Sequence, residues 1–296
     1  MTARTKYLLA AICAVLVIGG VGLFFLNRYE NTSLTQAPAP ATVAKTVTRT
    51  TIGTSAEGRN IDAYTYGEGP IHLLFIGGIH GGYEWNSVLV AYQLIDYLRE
   101  QGGIIPNNLT VAVIPSANPD GVYRVVKKEG RFTASDIPVI KQPVGTGRFN
   151  AHNVDLNRNF DCKWKPKSMW RGNVVDAGSA VFSEPEARAI RDFVLSYAPT
   201  SVVFWHSQAN TVYASQCENG ILPETLNIMN VYAKASGYSA VKSFDEYETS
   251  GDAEGWLASI NIPAITVELK THETIEWDQN LAGIKALFEY YRQKTI

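Results

Sequence analysis

The sequence predicts an α/β fold, with a single doubly wound, mostly parallel mixed sheet and helices on both faces. Short apolar runs of strand length alternate with segments of helical periodicity, and the clearest runs are residues 73–76, 109–114, 202–206 and 264–269. Such alternation is typical of parallel strands connected by helices that cover both faces of a sheet. With 296 residues, 46% of them hydrophobic, the chain can bury one sizeable core.

An apolar segment precedes this fold. Residues 7–26 carry no charge, and a helix of that length spans about 30 Å, the thickness of a bilayer's hydrocarbon core. Arg4 and Lys6 precede the segment and favour a cytoplasmic N-terminus. We therefore expect one transmembrane helix, a membrane anchor at residues 1–27, with the rest of the chain outside the cytoplasm. A cleaved signal peptide is the alternative, and it would give a secreted protein.

A linker separates the anchor from the folded domain. Residues 28–45 are rich in Thr, Ala, Pro and Ser, and Pro38 and Pro40 favour an extended chain. The folded domain therefore covers residues 46–296. No internal repeat and no second core are evident in it.

The first half of the domain contains four predicted strands and one helix. Alternating patterns at residues 47–52 and 61–66 predict strands, and both precede the central strand at 73–76. The helix that follows begins near Trp85 and ends before two glycines. After the strand at 109–114, the sequence Asn-Pro-Asp-Gly at 118–121 predicts a turn, and residues 122–154 predict a long irregular loop.

The second half contains four predicted helices. Ser183 and Glu186 form a capping box, which predicts a helix that extends to about Tyr197. The other three helices are predicted over residues 224–236, 253–260 and 277–291. Together with the strands at 202–206 and 264–269, they complete the alternating pattern.

Two histidines follow central strands. His80 comes after the strand at 73–76, among glycines that let the backbone turn sharply, and Glu84 lies at the start of the next helix. His206 ends the strand at 202–206, so both histidines are expected at the carboxyl edge of the sheet, where open α/β folds bind ligands. Catalytic zinc usually takes three protein ligands and one water. We therefore predict that His80, Glu84 and His206 bind one Zn²⁺ ion.

Six elements in a fixed order resemble those of the zinc carboxypeptidase family, typified by carboxypeptidase A and including murein peptide amidases. They are His80, Glu84, Asn157-Arg158, His206, Tyr247 and Glu268. The resemblance extends from about residue 47 to the C-terminus and implies a catalytic domain over residues 46–296. The sequence departs from the family pattern at one point, since three residues rather than two separate His80 from Glu84. Two adjacent glycines there could absorb the extra residue as a wider turn.

The resemblance implies a role for each remaining residue of the site. Glu268, near the end of the strand at 264–269, matches the general base. Arg148 matches the arginine that stabilises the oxyanion, and Arg131 is the alternative. Asn157 and Arg158 match the pair that binds the terminal carboxylate of the substrate, a task that suits the planar guanidinium group.

Two more positions concern the departing residue of the substrate. Tyr247 matches the tyrosine that closes over the bound carboxylate from a mobile loop. Glu254 matches a position that lines the specificity pocket, where an acid would favour a cationic side chain. A glutamate stabilised by the N-terminus of a helix is the alternative for Glu254.

The other histidines and the cysteines complete the candidates. We predict a structural role for His72 and keep His152 and His272 as reserve site residues. Cys162 and Cys217 are the only cysteines outside the apolar segment, and they are expected to form a disulfide in an oxidising compartment. Two separate reduced cysteines are the alternative.

These observations predict a monomeric zinc metallocarboxypeptidase, with a peptide substrate and a membrane partner through its N-terminal helix. Its substrates are either murein peptides, cut at the γ-D-glutamyl-diaminopimelate bond, or peptides that end in a basic residue. A zinc deacylase of acylated amino acids and an inactive peptide-binding homologue are the alternatives. The net charge of −2 argues against binding to nucleic acid.

Overall fold

A computed structural model of the protein describes residues 47–140 and 142–294. The predicted anchor at residues 1–27 and linker at 28–45 lie outside these ranges. Within them, no helix combines the length and the apolar character needed to cross a bilayer.

The described residues form six helices and ten strands, one of which has only three residues. Several short 3-10 turns connect them. The strands are β1 (Thr48–Thr54), β2 (Asn60–Gly67), β3 (Ile71–Ile76), β4 (Leu109–Ile114), β5 (Lys167–Trp170), β6 (Asn173–Asp176), β7 (Ser201–Ser207), β8 (Thr211–Ala214), β9 (Ser239–Val241) and β10 (Ala264–Leu269). The helices are α1 (Trp85–Glu100), α2 (Pro119–Val126), α3 (Pro185–Tyr197), α4 (Pro223–Ser236), α5 (Ala253–Ser259) and α6 (Trp277–Arg292).

Eight of these strands form one mixed sheet in the order β1-β2-β4-β3-β7-β10-β8-β9. Its four central strands, β4, β3, β7 and β10, are all parallel. Antiparallel pairing joins β1 to β2, β2 to β4 and β8 to β10. The remaining strands, β5 and β6, form a separate hairpin. The predicted α/β class and the mostly parallel mixed sheet are confirmed.

Helices cover both faces of the sheet. Leu73 and Phe75 of β3 pack in a cluster that includes buried residues of α1, α4 and α6. Their neighbours Leu74 and Ile76 point to the opposite face and pack with buried residues of α3 and α5. Because successive side chains of a strand alternate between faces, each central strand contributes to both clusters. Each fully buried side chain of this size contributes about 1.5–3 kcal/mol, so the two clusters hold the central strands firmly in place.

The turn predicted at residues 118–121 is wrong, because a helix begins there. Asn118 is the N-cap of α2, and its side-chain oxygen accepts a hydrogen bond from the Gly121 backbone at 2.8 Å. Pro119 occupies the first turn, where it costs no hydrogen bond. Asn and Pro favour helix starts as well as turns, so the local sequence could not separate the two outcomes.

The helix predicted after Ser183 is present, but its capping box is wrong. The N-cap of α3 is Glu184, and no side chain caps the helix. Ser183 Oγ instead donates to Glu184 Oε1 at 2.8 Å. Glu186 is fully buried and accepts hydrogen bonds from Ala56 N and Asn150 Nδ2. Tertiary contacts therefore occupy the side chains that would otherwise have capped the helix.

Candidate active site

The functional side chains meet at the carboxyl edge of the central strands. His80 follows β3, His206 lies near the end of β7, and Glu268 lies near the end of β10. Since these three strands are adjacent and parallel, their carboxyl ends lie at the same edge. Glu268 is the register partner of His206. The sheet alone therefore brings the distant histidines and the acid together.

The three predicted metal ligands form one buried group. The side chains of His80, Glu84 and His206 place one ligand atom each within 4.8 Å of the others. Glu84 Oε2 lies 3.2 Å from His206 Nδ1 and accepts a hydrogen bond from Ser207 N at 3.2 Å. The backbone of β7 thus helps to orient the carboxylate.

A single 3-10 turn absorbs the extra residue between His80 and Glu84. The turn covers Gly81–Glu84. Gly81 has a φ of +49°, and a Cβ at this position would lie 2.5 Å from the Gly147 carbonyl oxygen. A Cβ on Gly82 would lie 2.6 Å from the Gly121 carbonyl oxygen. Only glycines fit this tight turn, and it leaves Glu84 within reach of both histidines.

The group fits a catalytic zinc ion. His80 Nδ1 is buried without a hydrogen-bond partner, as is the Oε2 atom of Glu268 beside the group. Burial holds the pKa of His80 well below its usual value, and positive charge on Arg148 and His206 adds to this effect. The neutral imidazole is the form that binds metals. Two histidines and one glutamate are a known donor set for catalytic zinc, so the structure supports the predicted single Zn²⁺ site.

Glu268 lies beside this group but is not part of it. Burial raises the pKa of its carboxyl to about 8, and the negative charges of Glu84 and Glu254 act in the same direction, while His206 opposes them. A divalent cation bound by the ligands would favour the ionised form. Glu268 therefore has the position expected of an acid that exchanges protons near the metal.

Arg148, rather than Arg131, lies beside the predicted metal ligands. Arg148 is buried, forms an ion pair with Asp155 at 2.9 Å, and its Nη1 lies 3.7 Å from Glu84 Oε1. Arg131 instead pairs with Asp96 at 2.8 Å, and its side chain is 43% exposed. The position of Arg148 suits an oxyanion-stabilising role. The exposed position of Arg131 and its pairing with Asp96 do not suit that role.

A cavity of about 200 Å³ lies against the metal ligands. Its walls include His80, Arg148, Asn157, Arg158, His206, Tyr247, Asp252, Glu254 and Glu268. Arg158 is buried, and its guanidinium group donates to the carbonyl oxygens of Asn157 and Met169. In the part of the chain that the structure describes, Arg158 forms no ion pair with an acidic side chain. A buried guanidinium group that lies at a cavity wall and has no acidic partner is suited to bind a carboxylate.

Asp155 organises this region, and the sequence analysis assigned it no role. It is fully buried, and its Oδ2 accepts a hydrogen bond from Arg148 Nε at 3.0 Å. Its Oδ1 accepts from Asn157 N at 3.2 Å and lies 3.6 Å from His80 Nδ1. An Asp directly before Leu156, at the N-cap of a 3-10 turn, was the signal that could have identified it.

Glu254 lines the cavity, but its carboxylate contacts a predicted metal ligand. Oε1 lies 2.9 Å from His206 Nε2 and accepts from Thr266 Oγ1 at 3.2 Å. Asp252 is a second acid in the same wall. Burial, helped by the negative charge of Glu254 and opposed by Arg158, raises the pKa of Asp252 to about 6.

A second cavity of about 160 Å³ shares His80, His206 and Glu268 with the first. It also shares Tyr247, and its other walls include Tyr83, Trp170, Arg171, Glu246 and His272. His272 Nδ1 lies 2.7 Å from Ser207 Oγ, so this reserve candidate belongs to the cleft. The shared residues therefore lie between the two cavities. This arrangement is expected if a substrate extends to both sides of a scissile bond.

The other predicted residues lie as follows. His152 pairs with Glu184 at 2.7 Å and lines neither cavity, and His72 stacks on Tyr197. Tyr247 lines both cavities and packs edge-on against Phe244. The structure joins Cys162 and Cys217 in a disulfide, and Cys162 forms part of the first cavity's wall.

Comparison with known families identifies the chain. The family model described as zinc carboxypeptidase matches residues 40–282. The chain belongs to the zinc carboxypeptidase family. The match covers nearly the whole described domain, including every predicted zinc ligand, and thereby confirms the resemblance inferred from six sequence elements.

Individual relatives include both peptidases and amidases. The chain is 26% identical over 240 residues to gamma-D-glutamyl-L-diamino acid endopeptidase 1 of Lysinibacillus sphaericus, covering 74% of this chain and 60% of that protein. It is 29% identical over 131 residues to murein peptide amidase A of Escherichia coli K12, covering 41% of this chain and 50% of that protein. The crystal structure of the murein-tripeptide amidase MpaA from E. coli O157 has the same fold, with a TM-score of 0.58, 22% identity and coverage of 88% and 98%. This zinc carboxypeptidase chain thus spans 60% or less of the two curated relatives' lengths.

Proposed function

We propose that this protein is a zinc metallopeptidase that removes the C-terminal residue of murein peptides by cutting the γ-D-glutamyl-diaminopimelate bond. One observation carries the peptidase assignment. The buried, unpaired guanidinium group of Arg158 shares a cavity with His80, His206 and Glu268. A terminal carboxylate bound by Arg158 therefore brings the preceding amide bond close to the catalytic acid.

The surrounding residues supply the remaining chemistry. Bound zinc would lower the pKa of a water molecule and polarise the scissile carbonyl. Glu268 would accept a proton from the attacking water and deliver it to the leaving amine. Arg148 would stabilise the negative charge that develops on the carbonyl oxygen. Asn157 and Tyr247 would hold the terminal carboxylate beside Arg158.

The charges of the first cavity support diaminopimelate as the departing residue. Besides its terminal carboxylate, diaminopimelate carries an ammonium and a second carboxylate at the end of its side chain. Asp252 and Glu254 line this cavity, and so does Lys163. An acid and a lysine in one cavity can bind both ends of a zwitterion. A lysine substrate would leave Lys163 without a partner.

Arg171 supports a γ-linked glutamate on the other side of the scissile bond. A γ-D-glutamyl group has a free α-carboxylate, which an ordinary peptide lacks at that point. Arg171 lines the second cavity and donates to Tyr83 Oη at 3.3 Å. Within the described ranges it takes part in no ion pair, so its charge is available to a substrate carboxylate. The name of the Lysinibacillus sphaericus relative points to the same class of bond, and the name of the Escherichia coli relative points to murein peptides.

Trimming of basic residues from ordinary peptides is the second candidate, because Asp252 and Glu254 would also attract a lysine side chain.

One assay distinguishes the two candidate functions. Zinc-loaded protein is incubated with L-Ala-γ-D-Glu-meso-diaminopimelate, its lysine analogue, an α-linked peptide ending in lysine and an N-acyl amino acid. We expect the diaminopimelate substrate to be cleaved fastest. Exclusive cleavage of the α-linked peptide would establish the second candidate. Cleavage of the N-acyl amino acid would identify a deacylase, and the absence of any cleavage would indicate an inactive homologue.

The location is a separate proposal. An anchor at residues 1–27, followed by a linker, would hold the catalytic domain on the outer side of the membrane, where murein peptides occur. Membrane fractionation with and without protease treatment of intact cells tests it. A full-length chain recovered in the cytosolic fraction would contradict it.

A further inference from the structure

The His206 ring has a carboxylate beside each of its nitrogens. Nε2 lies 2.9 Å from Glu254 Oε1, and Nδ1 lies 3.2 Å from Glu84 Oε2. All three side chains are at most 5% exposed, so water does not compete for these contacts. Glu84 belongs to the group of metal ligands. Nδ1 therefore faces that group, while Nε2 faces the cavity wall.

Other groups hold Glu254 in this position. Thr266 Oγ1 donates to the same Oε1 atom at 3.2 Å. Asn157 Oδ1 accepts from Ala253 N at 2.8 Å and so fixes the start of the helix that carries Glu254. The threonine hydroxyl and the fixed helix start thus orient the carboxylate before any substrate binds.

We infer that Glu254 is a positioning residue for the metal site, because it accepts the Nε2 proton of His206 and so directs Nδ1 towards zinc. Histidines that bind metals commonly donate their other ring N–H to a carboxylate, which fixes the tautomer and the ring orientation. The inference goes beyond the proposed function, which needs Glu254 only as an acid in the cavity wall.

The two roles of Glu254 have different consequences. If the carboxylate only recognises a cationic side chain, its removal changes the preference among substrates and leaves the affinity for zinc unchanged. If it positions His206, its removal weakens zinc binding in the absence of any substrate. Zinc affinity therefore separates the roles without an activity assay.

The decisive variant is Glu254→Gln, which keeps the size of the side chain and removes its charge. We expect its zinc dissociation constant, measured by competition with a chromophoric chelator, to rise about 10–100-fold. Glu254→Asp keeps the charge on a shorter side chain, and we expect its zinc dissociation constant to rise less. Asp252→Asn is the matched control, since Asp252 lines the same cavity and its side chain accepts from Gly255 N rather than from His206. It should bind zinc like the native protein.

A second measurement uses the native protein and does not depend on the folding of a variant. Heteronuclear NMR of the zinc-loaded chain should place the His206 proton on Nε2. A proton on Nδ1, or native zinc affinity in a Glu254→Gln variant that circular dichroism shows to be folded, would overturn the inference. Zinc binding of the expected kind without cleavage of murein peptides would contradict the proposed function alone.

Discussion

Glu268 of β10 lies opposite His206 of β7 in a parallel register. Register partners on adjacent strands point to the same face of a sheet, so one strand carries a predicted metal ligand and the next carries the proposed catalytic acid. The distance between them is set by hydrogen bonds of the backbone and not by a flexible loop. This arrangement is rigid enough to support the chemistry proposed for the site, and it leads to the following predictions.

Replacing Glu268 with Gln should lower kcat by about 10²–10⁴-fold, because general acid–base catalysis contributes about that much. Zinc content should stay at one ion per chain, since Glu268 is not among the three clustered ligands. The test combines steady-state kinetics on the murein tripeptide with metal analysis. Unchanged kcat in the zinc-loaded variant would remove Glu268 from the mechanism.

Replacing Arg158 with Gln should abolish the preference for a free terminal carboxylate. A hydrogen bond to a charged group contributes about 1.5–3 kcal/mol, so kcat/KM for the free acid should fall about 10–150-fold. A substrate with an amidated C-terminus should be cleaved slowly and equally by both proteins. A variant that still prefers the free acid would show that another residue binds the carboxylate.

Replacing Arg171 with Gln should reduce the discrimination between γ-D-glutamyl and γ-D-isoglutaminyl substrates, which differ only in the α-carboxylate. Because Arg171 is exposed, the expected effect is at most about 5-fold. Arg131→Gln is the control, because that arginine pairs with Asp96 outside both cavities. Equal discrimination in all three proteins would contradict the role of Arg171.

Replacing Gly82 with Ala should disturb the metal site through the backbone. The added methyl group would lie 2.6 Å from the Gly121 carbonyl oxygen and from Val125, and such overpacking typically costs about 1–3 kcal/mol. We expect lower stability in urea and weaker zinc binding. Gly130→Ala is the control, since its added methyl group meets no atom within 4 Å and only its φ of +70° is strained. Its zinc affinity should be native.

The disulfide between Cys162 and Cys217 should stabilise the domain. It closes a loop with a sequence separation of 55 residues. Disulfides of this kind contribute about 2–4 kcal/mol, so reduction should lower Tm by roughly 5–15 °C. Calorimetry with and without reductant tests this expectation. The Cys162→Ser/Cys217→Ser double variant should show the lower Tm under both conditions, and a reductant effect that persists in it would have another origin.

The metal ligands could be predicted because each depends on a local pattern. His206 ends an apolar run of strand length and His80 lies four residues beyond another, and parallel strands place such residues at one edge. Glu84 was less certain in the sequence, because its reach depends on the conformation of Gly81 and Gly82. The spatial structure was needed to show that one 3-10 turn is sufficient.

Contacts between distant segments could not be predicted. The sequence offered both Arg148 and Arg131 for one role, and only their ion pairs separate them. Glu254 contacts a histidine 48 residues away, which no local pattern encodes. The short strands β8 and β9 escaped prediction for a related reason. With four and three residues they carry too little periodicity to be recognised, and neighbouring strands stabilise them.

The order of strands in the sheet also determines when the protein can act. β10 follows β7 in the chain, and Glu268 comes opposite His206 only when β10 has joined the sheet. A chain that is still folding, or one that has lost this strand, lacks a complete set of reactive groups. The reactive groups of the proposed peptidase are thus assembled only in the native architecture.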